Sequence, residues 1–129
     1  MNNVELLEQA YQNFGAGNIE AVVAVFDPEI EWNESQGLPF INGDGVFIGP
    51  EAIVENVLVE IPKHYDGFQI DIRELFGSED KVVMVGYYRG IWKETGTEFK
   101  ANATHVSTVK EGKVTHFFQV ADTAEIISP

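Results

Sequence analysis

The stretch Lys81–Asp122, KVVMVGYYRGIWKETGTEFKANATHVSTVKEGKVTHFFQVAD, decides the fold class. Apolar and polar residues alternate along it with period two, the spacing that sends successive side chains to opposite faces of a strand. Turn-forming residues divide it at Thr95-Gly96 and at Lys110-Glu111-Gly112, leaving strands over Lys81–Trp92, Glu98–Val109 and Lys113–Asp122. A further strand, Phe68–Phe76, leads in through Gly77-Ser78-Glu79-Asp80. The four read as an antiparallel meander.

The turns also set a register. A two-residue loop at Thr95-Gly96 places Trp92 opposite Phe99, Tyr88 opposite Ala103 and Gly86 opposite His105. A three-residue loop at Lys110-Glu111-Gly112 places His105 opposite Phe117 and Ala103 opposite Gln119. One face then carries Met84, Tyr88, Trp92, Phe99, His105, Phe117 and Gln119. The other carries Val85, Tyr87, Arg89, Val106, His116, Phe118 and Val120. Both faces are half apolar, so both are expected to be covered: one by helices around a pocket, the other by a second subunit.

Upstream of the meander the period changes. Val4, Leu7, Tyr11 and Phe14 recur at intervals of three and four and mark one apolar helical face, ended by Gly15 and Gly17. Asn18 is placed to cap a second short helix holding Ile19, Val22, Val23 and Phe26, stopped at Asp27-Pro28. Ile30–Glu34 alternates as a short strand with Ile30 and Trp32 on one face. A loop follows over Ser35–Gly49. Pro50 suits the first turn of a third helix, carrying Ile53, Val54, Val57, Leu58 and Ile61, which Pro62 should end. The order is two helices, a strand, a helix and four strands, one α+β domain over residues 1–129.

Composition narrows the function. A chain of 129 residues fits one domain and hides roughly two-thirds of its unfolded surface, enough for a core without staples. Cysteine is absent, which excludes disulfides and thiolate chemistry. The 8 basic and 21 acidic residues give a net charge of −13, which disfavours nucleic acid and anionic membranes as partners. No apolar run is long enough to span a bilayer, and the first residues lack the layout of a signal peptide, so the cytoplasm is the expected location. His64, His105 and His116 do not have metal-ligand spacing, and no metal is expected. Gly43-Asp44-Gly45 has neither the lysine of a phosphate loop nor the spacing of a dinucleotide fingerprint, and is read as a turn.

Trp32-Asn33-Glu34 leading to Leu38-Pro39-Phe40, then Gly49-Pro50-Glu51-Ala52, resembles the SnoaL-like pattern of tryptophan strand, proline loop and Gly-Pro-opened helix. Thr104-His105-Val106, Glu111-Gly112-Lys113-Val114 and Gln119-Val120-Ala121-Asp122-Thr123 are similar to that family's closing strands. The resemblance covers essentially the whole chain and places it among SnoaL-like and ketosteroid-isomerase-like proteins of the nuclear-transport-factor-2-like superfamily. It implies a curved sheet wrapped around about three helices as a cone-shaped barrel with a deep pocket, and a homodimer through the outer sheet face. It also implies roles. His105 falls where SnoaL-type cyclases place a pocket histidine and where the isomerases place an oxyanion-hole acid. Gln119 stands where the cyclases have an acid/base aspartate, and Glu34 where the isomerases have their proton-shuttling aspartate. Ala10 stands where the isomerases have a tyrosine donor, with Tyr11 beside it.

These positions make chemical sense together. A carboxylate in an apolar pocket has its pKa raised by desolvation and becomes a competent base near neutrality. A histidine opposite can polarise a carbonyl. The expected site is therefore Glu34 and His105 as the catalytic pair, with Tyr88 and Gln119 orienting a substrate among Trp32, Met84, Trp92 and Phe117. The expected activity is isomerase- or cyclase-type proton transfer, without a cofactor, on a small apolar or carbonyl-bearing molecule. A pocket that only binds such a molecule, and a dimeric interaction module, are the alternatives. Asp122 points away from His105 by strand parity and is read as a structural cap.

Overall fold

The computed structural model describes residues 2–41 and 43–127. Helix α1 (Asn3–Gly15) opens on a capping box: the Asn2 side chain accepts from the Glu5 N–H, and the Glu5 carboxylate accepts from the Asn2 N–H. Helix α2 (Ile19–Val23) is capped by Asn18, whose side-chain oxygen accepts from the Ala21 N–H. Phe26, expected at the end of this helix, instead begins strand β1 (Phe26–Asn33). Pro28 is tolerated there because the pairing is irregular between Phe26 and Glu31, where no ladder N–H is needed.

The loop after β1 contains a short strand, β2 (Val46–Ile48), that alternation over three residues could not announce. Helix α3 (Pro50–Ile53) runs into a wider π-helical turn over Val54–Leu58. A separate short helix, α4 (Ile61–His64), follows. Pro62 therefore starts a helix rather than ending one. In a first turn its missing N–H has no partner to lose.

The meander forms in the order read, with β3 longer at both ends, β5 one residue longer and β6 one shorter: β3 (Tyr65–Ser78), β4 (Lys81–Trp92), β5 (Glu98–Lys110) and β6 (Lys113–Ala121). Helix α5 (Thr123–Ile127) closes the described chain. The six strands form one curved, unclosed sheet in the order β2-β1-β6-β5-β4-β3. Its pairings are antiparallel except β1 with β6, which is parallel, so the sheet is mixed. Bulges in β3, between Ile72 and Glu74, and at Thr108/Val109 add local twist and help the sheet to curl over the helices.

Both expected registers are displaced, each by two residues. The connection at Thr95-Gly96 is four residues long, closed by Gly96 N–H to Trp92 C=O, so Tyr88 opposes Ala101 and Met84 opposes His105. The turn at Glu111-Gly112 is the tighter one, with both residues at positive φ, and the following bulge brings His105 opposite Gln119. A displacement of two preserves the alternation, so every residue stays on its expected face. The face of Met84, Tyr88, Trp92, Phe99, His105, Phe117 and Gln119 is buried throughout. No helix among the described residues is long and apolar enough to cross a membrane.

Candidate functional site

The concave sheet face and the helices enclose a cavity of about 90 Å³. Its walls are apolar: Leu7 and Phe14 from α1, Phe26 from β1, Leu58 from the helical turn, Tyr65 and Phe68 from β3. Polar atoms enter from a few positions, most of them on or beside the strands. Trp32 and Glu34, two residues apart at the end of β1, point to the same side. The Trp32 indole N–H donates to the Glu34 carboxylate at 2.8 Å, while the indole stacks on Phe117 with ring centres 3.7 Å apart.

Glu34 is 8% exposed and makes no ion pair with the basic side chains among the described residues. Burial pushes its carboxyl up to about 7, and the Trp32 indole and the Gln119 amide beside it hold it from rising further. A group so poised can take up or release a proton near neutrality.

Across from it, His105 on β5 has both ring nitrogens engaged. Nδ1 meets the Tyr11 hydroxyl at 2.8 Å, and Nε2 meets the Tyr88 hydroxyl. Burial alone pushes the imidazole down to about 3, so the ring is neutral. Burial also raises both tyrosines, Tyr88 further through the nearby Glu34 carboxylate. Gln119, directly opposite His105 on β6, donates through Nε2 to Tyr88 and accepts the Ser35 N–H at 2.9 Å. Among the described residues no buried side-chain polar atom is left without a partner.

Six of the eight expected site residues, Trp32, Glu34, Tyr88, His105, Phe117 and Gln119, line this cavity together. Met84 and Trp92 share their face but do not line it. Met84 is fully buried beneath, and Trp92 packs against Tyr65 at 5.2 Å toward the sheet's far end. Asp122, expected as a cap, immediately precedes α5, and its C=O accepts from the Glu125 N–H.

Two contributors were missed. Tyr11 entered the sequence reading only as a core position and a neighbour of Ala10, yet its hydroxyl reaches His105. Ile126 of α5 closes one wall, and its C=O accepts the Tyr65 hydroxyl at 3.1 Å. Helical spacing marks Tyr11 as inward-facing, but it does not tell a packed ring from one offering its hydroxyl.

The SnoaL-like domain family model matches residues 7–117, and the chain belongs to that family. No curated protein matches it in sequence. Among solved structures, an NTF2-like protein from Burkholderia thailandensis is 30% identical, with a TM-score of 0.87 over 95% of this chain and 92% of that one. TerC, crystallised with polyporic acid, is 26% identical with a TM-score of 0.84 over 98% of each chain. A ketosteroid-isomerase-like fold from Catenulispora acidiphila, in complex with trimethylamine, is 14% identical over 95% of this chain and 88% of that one, with a TM-score of 0.79.

Proposed function

We propose that this SnoaL-like chain is a cytoplasmic, cofactor-free isomerase- or cyclase-type enzyme acting on a small apolar molecule that bears a carbonyl. The observation that carries this is Glu34: a carboxyl buried without a cation in an apolar cavity, pushed up to about 7, facing a neutral histidine held between two hydroxyls. A C–H bond beside the carbonyl breaks, its proton passes to Glu34, and the electron pair moves into an enolate. The enolate oxygen accepts a hydrogen bond from the Tyr11–His105–Tyr88 group. Glu34 then returns the proton at another carbon, or the enolate carbon closes a ring by adding to a second carbonyl, whose oxygen becomes an alkoxide and takes the proton back from Glu34. The isomerisation balances with no other reactant.

Replacing Glu34 by Gln tests this. Against a panel of cyclic enones and polyketide-like diketones, turnover should fall by about 10³-fold or more, while binding, read by quenching of Trp32, stays within about threefold. Equal turnover in both proteins overturns the assignment of Glu34.

Binding without turnover is the second reading, favoured by the cavity's near-continuous apolar lining and by the ligand-bound structures of TerC and the Catenulispora protein. In that case the panel shows saturable quenching and no product with either form. The convex sheet face supports a homodimer in both readings: Phe76, Phe118 and Val120 are each half exposed or more on it.

A further inference from the structure

The hydrogen bonds around His105 form a chain whose polarity can be read from one end. The Ser35 backbone N–H, which can only donate, meets the Gln119 side chain at 2.9 Å. That end of the amide is therefore the carbonyl oxygen, and the NH₂ faces Tyr88. The Tyr88 oxygen accepts from Gln119, and its single proton has one acceptor in reach, Nε2 of His105. A neutral imidazole carries one N–H, so with Nε2 accepting, the hydrogen sits on Nδ1 and is donated to the Tyr11 oxygen at 2.8 Å. Tyr11's own proton then has no acceptor among the described residues, and Tyr11 lines the cavity.

We propose that Gln119 is a positioning residue that acts through Tyr88 to hold His105 as its Nδ1–H tautomer, making the Tyr11 hydroxyl the hydrogen-bond donor offered to a ligand oxygen. The opposite tautomer would aim two donors at the Tyr88 oxygen and leave that buried hydroxyl's proton without an acceptor, whereas the Nδ1–H form leaves without one only the proton of the less buried Tyr11. The orphan costs more on the more buried ring, which favours the Nδ1–H form. Gln119 thus fills the place of an acid/base residue by directing a proton it never exchanges. His105 becomes the link behind the donor, and Tyr11 the group that touches the ligand.

The tautomer follows from the protein alone. Its consequence for a substrate oxygen rests on the pocket reading above. The experiment is a long-range ¹H–¹⁵N correlation spectrum of ligand-free protein labelled at histidine, with His105 identified by the signals lost in His105→Phe. Protonated Nδ1 and bare Nε2, unchanged between pH 5 and 8, are expected. A ring protonated at Nε2, or a charged ring, overturns the proposal. In Gln119→Leu, or in Gln119→Met if the first does not fold, both nitrogen signals should move toward an average of the two tautomers. Retention of a pure Nδ1–H form in the folded variant removes Gln119 from the role. No turnover enters this reading, so failure of the enzyme assignment and failure of the tautomer assignment are separate results.

Discussion

The two faces of the sheet are made by the same strands and meet opposite fates. On β4 and β6 the concave side presents Met84, Tyr88, Phe117 and Gln119, all buried, while the convex side presents Tyr87, Phe118 and Val120 to the surroundings. Polar groups are handled differently as well. On the concave face every buried side-chain polar atom among the described residues has a hydrogen-bond partner, because a group left unpaired there is costly. On the convex face Asp71 pairs Arg73 at 3.0 Å and Arg89 at 3.5 Å, and Lys100 lies 4.2 Å over the Tyr87 ring. Such exposed pairs contribute little, since water and salt compete for every charge. The proposed function draws on the dry face, where a single proton's position matters.

That contrast can be broken at several points. The largest effect is expected from Gly86→Val on the concave side. A Cβ there would lie 2.1 Å from the Asp71 backbone oxygen, which no rotamer change relieves. Stability should fall by about 3 kcal/mol or more in urea titration, and a loss below 1 kcal/mol would mean the β3–β4 pairing is looser than described.

Glu34→Gln should come next, and only at high pH. Glu34 titrates at about 7 folded against 4.5 as its ordinary value, so the folded state holds a proton the unfolded chain has released. Its penalty is absent below pH 4.5, grows through that window and is full above pH 7. The variant should therefore be more stable than the parent by up to about 3 kcal/mol at pH 8 and equal to it at pH 4.5. His105 acts on the acid side: with its folded value near 3 against 6.5, stability falls as pH drops from 6.5 toward 3. Between pH 4.5 and 6.5 the two slopes oppose, and Glu34→Gln should unmask the histidine's. Denaturant melts across pH 4 to 8 check both.

The smallest effect on the folded monomer is expected from Phe118→Lys on the convex face, within about 0.5 kcal/mol. If a second copy covers that face, the same change should halve the mass seen by light scattering at concentrations where the parent is dimeric. An unchanged mass would place any dimer contact elsewhere.

How much of this was legible depends on whether the signal was local. Alternation over Lys81–Asp122 gave the strands and both faces, and it survived two displaced turns because each error was an even number of residues. The Asn2 box and the Asn18 cap lie within three residues of what they bind, and Asn18 was read correctly. Pro62 was misread because proline both ends and begins helices, and only the chain's change of direction after Leu58 decides which. Strand β2 offered three residues, too few for a period.

The sequence by itself determined the composition of the meander's dry face, His105 included, because side-chain alternation is a property of the strand alone; Glu34 was expected in the pocket only through the family resemblance. Tertiary structure decided which groups on that face touch. The parallel pairing of β1 with β6 brings Trp32 beside Phe117 and Ser35 against Gln119. The laying of α1 across the sheet brings Tyr11 to His105, 94 residues away. Hydrogen bonds form over about 3 Å between atoms whose separation along the chain carries no information about their separation in space. The direction of a proton through Gln119, Tyr88 and His105 exists only once those contacts are made.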